Sequence, residues 1–213
     1  MIKAALFDLD GVVVDSESQY THFWGNQFHL YYPNETGLEH RIKGMTLVEI
    51  FSTYFNGKSD IQEAITESLN NFERQMTYDY IPGFENTIKE AKRASLSTAI
   101  VTSSNLPKMD NVFRSHPELH DYFDIVLTSE DFEKSKPDPD GYLKAAQRLH
   151  CQPSECIGFE DSINGVKALN AAQMFVVGLA TTNRPEALKE WSNLIVNDFT
   201  QLDLKSVLKA IDQ

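Results

Sequence analysis

The strongest constraint on this chain is a rhythm: short apolar runs, each ended by polar residues, alternate with helical patterns. The runs lie at Ile2 to Phe7, Thr98 to Val101, Phe123 to Leu127, Cys156 to Phe159 and Met174 to Leu179, with a weaker one at Leu194 to Val196. Runs of this length without polar alternation read as strands buried on both faces. Between them, Phe84, Ile88 and Ala91 share one helical face, and Met109, Val112 and Phe113 share another. Tyr142, Leu143, Ala146 and Leu149 form a third stripe, with Asp138 as N-cap and Pro139 at the first helical position. Ile163, Val166 and Leu169 form a fourth. Strands alternating with helices predict an α/β core, a doubly wound parallel sheet covered on both faces. Ligands of such sheets bind beyond the carboxyl ends of the strands.

The rhythm is interrupted once, over residues 14–80, which read as helices only. Tyr20, Phe23, Trp24 and Tyr31 share a face; Leu47, Ile50, Phe51, Tyr54 and Phe55 repeat at helical spacing up to Gly57; Ile61, Ile65, Leu69 and Phe72 continue the theme. The strand pattern resumes after the turn signal Pro82-Gly83. The expected organisation is a catalytic core of residues 1–13 plus 81–213 and an inserted all-helical cap of residues 14–80, joined through Val12-Val13-Val14.

Charge and composition narrow the partners. With 31 acidic against 19 basic side chains, the net charge is −12, and no basic stripe offsets it, so no nucleic-acid partner is expected. A small anionic substrate must then find its positive charge locally. The two cysteines, Cys151 and Cys156, make neither a disulfide framework nor a zinc site, and are expected as plain thiols in a reducing, cytoplasmic setting. The apolar start stops at Asp8, too short for a signal peptide, and no stretch approaches the roughly 20 apolar residues of a membrane span. His116 and His120 stand four apart, but Pro117 between them argues against a helical metal pair; both are expected at the surface.

Four strand ends carry chemistry. Asp8 and Asp10, in Asp8-Leu9-Asp10-Gly11, leave the first strand on the same side, and two carboxylates so placed repel unless a hard cation sits between them. Thr102-Ser103-Ser104-Asn105 offers hydroxyls and N–H groups at a helix N-terminus, a neutral cradle for an anion. Lys136, stiffened by Pro137 and Pro139, is able to balance both a carboxylate and a phosphate. Glu160-Asp161, before the capping residue Ser162, is able to complete a metal site. Each has a plain structural explanation alone: a turn, a cap, a solvated lysine, helix-end charge. Together, in order along successive strands, they are the parts of a phosphoryl-transfer site: nucleophile, oxygen cradle, countercharge and metal ligands.

Over its whole length the sequence resembles the haloacid dehalogenase (HAD) superfamily. Asp8 to Ser16 resembles the first motif, Thr102 the second, Lys136 in Lys-Pro-Asp-Pro the third and Glu160-Asp161 the fourth; the helical insert resembles the C1-type cap of the β-phosphoglucomutase and sugar-phosphatase branch. The resemblance implies an HAD-like Rossmannoid core and a Mg2+-dependent phosphomonoester hydrolase acting on a small phosphorylated metabolite, a sugar or polyol phosphate, through an aspartyl-phosphate. It implies Asp8 as nucleophile, and Asp10 as general acid/base whose carbonyl binds the metal. Asp8, Asp161 and Glu160 would be further metal ligands, Thr102 a phosphoryl hydrogen-bond donor, and Lys136 the neutralising cation. Ser103, Ser104 and Asn105, with Lys43 and Gly44 in the cap, are expected substrate contacts. Mutases of this branch carry a His and an Arg in the cap where this chain places Tyr20 and Leu47, which favours hydrolysis; a phosphosugar mutase and a non-enzymatic phospho-ligand module are the alternatives.

Overall fold

A computed structural model describes residues 1–211. Six parallel strands form one sheet: β1 (Ala4–Phe7), β2 (Ser97–Val101), β3 (Ile125–Leu127), β4 (Cys156–Glu160), β5 (Phe175–Leu179) and β6 (Leu194–Val196). Their order is β3-β2-β1-β4-β5-β6. The chain therefore winds outward from β1 to β3, crosses back to β4 and winds outward the other way. The carboxyl ends of β1 and β4 border the point of reversal, where the connections diverge and leave a crevice.

Strand β1 is central, with Phe7 aligned to Ile100 of β2 and Phe159 of β4. Its side chains alternate between two apolar layers. Ala5 and Phe7 join Phe84, Ile88, Phe123 and Phe159, while Ala4 and Leu6 join Val101, Tyr142, Val166 and Leu169. Phe7 stacks on Phe159 at 4.5 Å between ring centroids. Burying each such ring contributes about 1.5–3 kcal/mol, which fixes the register of the two strands that carry the site.

Helices α1 (Glu17–Tyr31), α2 (Leu38–Arg41), α3 (Leu47–Tyr54), α4 (Ser59–Glu73) and α5 (Phe84–Arg93) separate β1 from β2. Beyond β2 come α6 (Leu106–Ser115) and α7 (Leu119–Tyr122), then α8 (Asp140–Arg148) before β4, α9 (Ile163–Ala171) before β5, α10 (Pro185–Leu188) before β6, and α11 (Leu204–Ile211). Helices α1 to α4 hold an apolar cluster of their own, built on Phe23, Trp24, Phe28, Ile50, Phe55 and Ile65. The α3 start is fixed by a capping box: Glu49 N–H donates to Thr46 Oγ1, and Thr46 N–H to the Glu49 carboxylate. The two segments leading into and out of this group run side by side. Asp15 N–H donates to Asp79 O at 2.7 Å and Ile81 N–H to Val13 O at 3.1 Å.

Several expectations need correction. Strands β1 and β3 begin two residues later than their apolar runs, and β4 extends one further to take Glu160 into the sheet. Helix α8 starts at Asp140, whose N–H is bound by the Asp138 carboxylate, so Pro139 is the cap rather than the first helical residue. Leu143 and Ile163 are 40% and 38% exposed; Ala145 replaces Leu143 in the buried stripe. His116 is half-buried, its ring 4.1 Å from that of Tyr80. No helix among the described residues is long and apolar enough to cross a membrane.

Candidate active site

The tips of β1 and β4 bring together three carboxyl groups and an ammonium. Asp8, Glu160 and Asp161 each place an oxygen within 4.8 Å of the others, all buried. Lys136, 6% exposed, reaches across from the segment before α8 and donates to Asp8 Oδ1 and Glu160 Oε1, both at 2.6 Å, and to Val101 O at 3.1 Å. Burial raises the Asp8 pKa to about 7, against the opposing charge of Lys136 and with help from Glu160 and Asp10. Asp161 is likewise pushed well above the ordinary carboxylate range by burial and by the charges of Glu160, Glu17 and Asp8. Burial lowers and the two partner carboxylates raise Lys136, which ends above its ordinary value.

This cluster fits a hard divalent cation. Its donors are all oxygen, and its like charges are crowded beyond what one lysine balances. Beside it, the buried Thr182 Oγ1 faces the Asp161 carboxylate and works against the rise in its pKa. Gly11, at φ +74°, keeps the space clear: a Cβ there would fall 2.1 Å from Asp161 Oδ2 and 2.8 Å from Thr182 Oγ1. Glu160 lies within reach of such an ion, but its oxygens are already engaged. Oε1 accepts from Lys136 and Tyr142, and Oε2 from the N–H groups of Asp161 and Ser162 and from Ser162 Oγ.

Asp10 turns to a different set of partners. Lys108 Nζ donates to both of its carboxylate oxygens at 2.5 Å, Ser104 Oγ donates at 3.0 Å, and Ser16 Oγ donates to Oδ1. Burial would raise its pKa, but the Lys108 charge and hydrogen bond, with the Ser16 and Ser104 hydroxyls, hold it below the usual range. Thr102 is buried at the end of β2, and its Oγ1 accepts from Ser104 N–H at 3.0 Å. Asn105 spends its side-chain oxygen capping α6 on Lys108 N–H, also at 3.0 Å. Ser103 Oγ donates to Gly44 O at 3.4 Å, tying the hydroxyl segment to the helical insert.

The expected insert residues sit on the opposite wall. Lys43 pairs with Glu17 at 3.3 Å, and Gly44 lies against Ser162 and Asn164. Burial and the Asp10 charge raise Glu17 in spite of Lys43. The cleft between them, about 740 Å³, is lined by Asp8, Asp10, Thr102, Ser103, Ser104, Asn105, Lys136 and Asp161 from below and by Lys43, Gly44 and Glu49 from above. Glu160 does not reach it, standing behind Lys136.

Sequence reasoning missed Lys108, Glu17, Glu73 and the segment Thr181–Asn183. Lys108 carried a signal: a lysine in the first turn of a helix opposes the dipole and therefore needs an acidic partner. Thr181 Oγ1 donates to Gly11 O at 2.6 Å and Asn183 Nδ2 to Asp161 O at 2.9 Å. These residues follow β5, where the strand-end rule applies as it does to β1 and β4.

Comparison with known proteins places the chain in a family. Residues 2–173 match the family model described as haloacid dehalogenase-like hydrolase. The chain is 29% identical to the validoxylamine A 7'-phosphate phosphatase of Streptomyces hygroscopicus subsp. limoneus, over 95% of this chain and 96% of that protein. It is 29% identical to a phosphorylated carbohydrates phosphatase of Thermotoga maritima, over 80% and 82% respectively. Among solved structures, a β-phosphoglucomutase from Clostridium difficile superposes with a TM-score of 0.82 at 27% identity, covering 100% of this chain and 98% of the other.

Proposed function

The chain belongs to the haloacid dehalogenase-like hydrolase family, and on that premise we propose that it is a Mg2+-dependent phosphatase of small phosphorylated sugars or polyols. The observation that carries the reading is the convergence of Asp8, Lys136 and Asp161 at the point where the sheet reverses its winding. Asp8 is the nucleophile: its free oxygen attacks phosphorus, the ester P–O bond breaks, and an aspartyl-phosphate forms. Asp10, which must first take up a proton against the pull of Lys108, passes it to the departing alkoxide, then takes one from the water that attacks phosphorus, returning Asp8 as carboxylate and releasing phosphate. Lys136 neutralises Asp8 and the incoming phosphoryl oxygens, and Thr102 and the N–H groups after it orient those oxygens. Asp8, the Asp10 carbonyl and Asp161 would hold Mg2+, with Glu160 behind them. When bound, the ion supplies the charge that lets one anion approach another.

The substrate class follows from the upper wall. Of the insert side chains lining the cavity, Glu17, Glu39, Glu49 and Glu73 are acidic and Lys43 alone is basic. Carboxylates accept hydrogen bonds from sugar hydroxyls but repel a second phosphate, so a neutral polyhydroxylated remainder fits and a sugar bisphosphate does not. That favours hydrolysis over the mutase reaction. Residues 14–80 act as a cap that excludes water, and the buried thiols of Cys151 and Cys156 suit a reducing cytoplasm. The test is phosphate release from hexose and polyol monophosphates and from hexose bisphosphates, with Mg2+ and with EDTA. Monophosphates should be preferred at least tenfold, only with metal, and Asp8→Asn should be inert while still folded. Metal-independent turnover, or an active Asp8→Asn, would sink the proposal.

A further inference from the structure

Lys108 is a buried cation of the cavity that the reaction above leaves without a task. Its side chain is 4% exposed, its ammonium grips both oxygens of Asp10 at 2.5 Å, and the Tyr20 ring covers it at 4.2 Å. It is therefore not offered to a second phosphate. Tyr20 belongs to α1 of the insert, and its hydroxyl donates to Glu73 Oε1 at 2.8 Å. A chain of contacts thus runs from Asp10 through Lys108 into the helical insert.

We infer that Lys108 is a positioning residue: it fixes the Asp10 carboxylate in the orientation from which Asp10 takes the proton of the attacking water. Asp10 has four donated bonds, two from an ammonium and one each from the hydroxyls of Ser16 and Ser104. All four bonds end on a charged carboxylate, but only Lys108 brings an opposite charge as well, so a hydroxyl is what yields when water or a substrate oxygen arrives, and Lys108 keeps its hold. The inference rests on the acid/base reading of Asp10.

The experiment uses p-nitrophenyl phosphate, whose leaving group departs as a stable anion and needs no proton, so that only hydrolysis of the aspartyl-phosphate requires Asp10. Rapid-mixing traces of Lys108→Met in Mg2+ should release about one nitrophenolate per chain and then stall. The steady rate should fall about 10–100-fold below wild type, the range that a misplaced catalytic group costs. Burst amplitude counts folded sites, so unfolded protein does not imitate this pattern; if Lys108→Met fails to fold, Lys108→Gln carries the same comparison. Asp10→Asn, run in parallel, must also burst and stall; if it does not, the reading of Asp10 is at fault. If Asp10→Asn stalls while the Lys108 variants lose both phases equally, or keep the wild-type steady rate, the inference is overturned.

Discussion

Tyr142 donates its hydroxyl to Glu160 Oε1 at 2.8 Å, onto the same oxygen that receives the Lys136 ammonium. A helix on one face of the sheet thereby holds, from behind, the carboxylate that holds the lysine. Tyr142→Phe removes one donor from a buried charged acceptor and leaves the ring in place. It should cost about 1.5–3 kcal/mol of stability, read as a lower urea midpoint at unchanged slope. An unchanged midpoint would mean the bond contributes nothing net.

The acidic cluster makes a claim that needs no turnover to check. Saturating Mg2+, at about 100 times its dissociation constant, should add about 2.7 kcal/mol to the folded state and raise the unfolding temperature by about 5–10 °C. Asp161→Asn should abolish that rise, and without metal should be at least as stable as wild type because one of three crowded carboxyl groups is gone. A full Mg2+ response in Asp161→Asn would place the ion elsewhere.

Gly165 lies in the first turn of α9, and a Cβ built there would fall 1.8 Å from Glu160 Cδ. Helix propensity alone predicts that Gly165→Ala gains up to about 1 kcal/mol. The steric conflict with a buried charged group outweighs it, and the variant should lose on the order of 1–3 kcal/mol. Denaturant titration decides the sign, and a stabilised variant would contradict the packing described.

Asp124 binds Thr98 N–H at 2.7 Å and Lys92 Nζ at 2.9 Å, tying the start of β3 to β2. Burial raises its pKa, but the bonds and charge of these two partners together hold it below the ordinary carboxylate value. A carboxyl depressed in the folded state adds stability above its unfolded pKa of about 4, and loses it as pH falls through the folded value. Asp124→Asn should therefore be less stable than wild type at neutral pH. The cost should be on the order of 0.5–1 kcal/mol, discounted because the side chain is 45% exposed. Thermal melts of the two proteins should converge in acid; a gap that stays constant down to pH about 2 would show that the charge is not the cause.

The sheet was legible because its strands are buried on both faces, so apolar runs mark them without ambiguity. Their starts were not. Lys3 and Asp124 pair through Glu155 O and Thr98 N–H just outside the ladder, and such pairings depend on neighbours distant along the chain. Asp8, Lys136 and Asp161 were found by their positions at strand ends. Lys108 was not, because its partner Asp10 is 98 residues away and only the fold makes them neighbours. Glu160 shows the opposite limit: its place beside Asp161 was readable, but its burial behind Lys136 and Tyr142 was not.

The paired segments at Val13–Asp15 and Asp79–Ile81 have a consequence for how such a chain diversifies. Because they leave and rejoin the sheet side by side, the strands experience everything between them as one long loop closed at its neck. Lengthening a closed loop is cheap, about 0.6 kcal/mol for each doubling. The helical insert is thus free to be rebuilt or exchanged, while the sheet and the residues at its strand tips stay as they were.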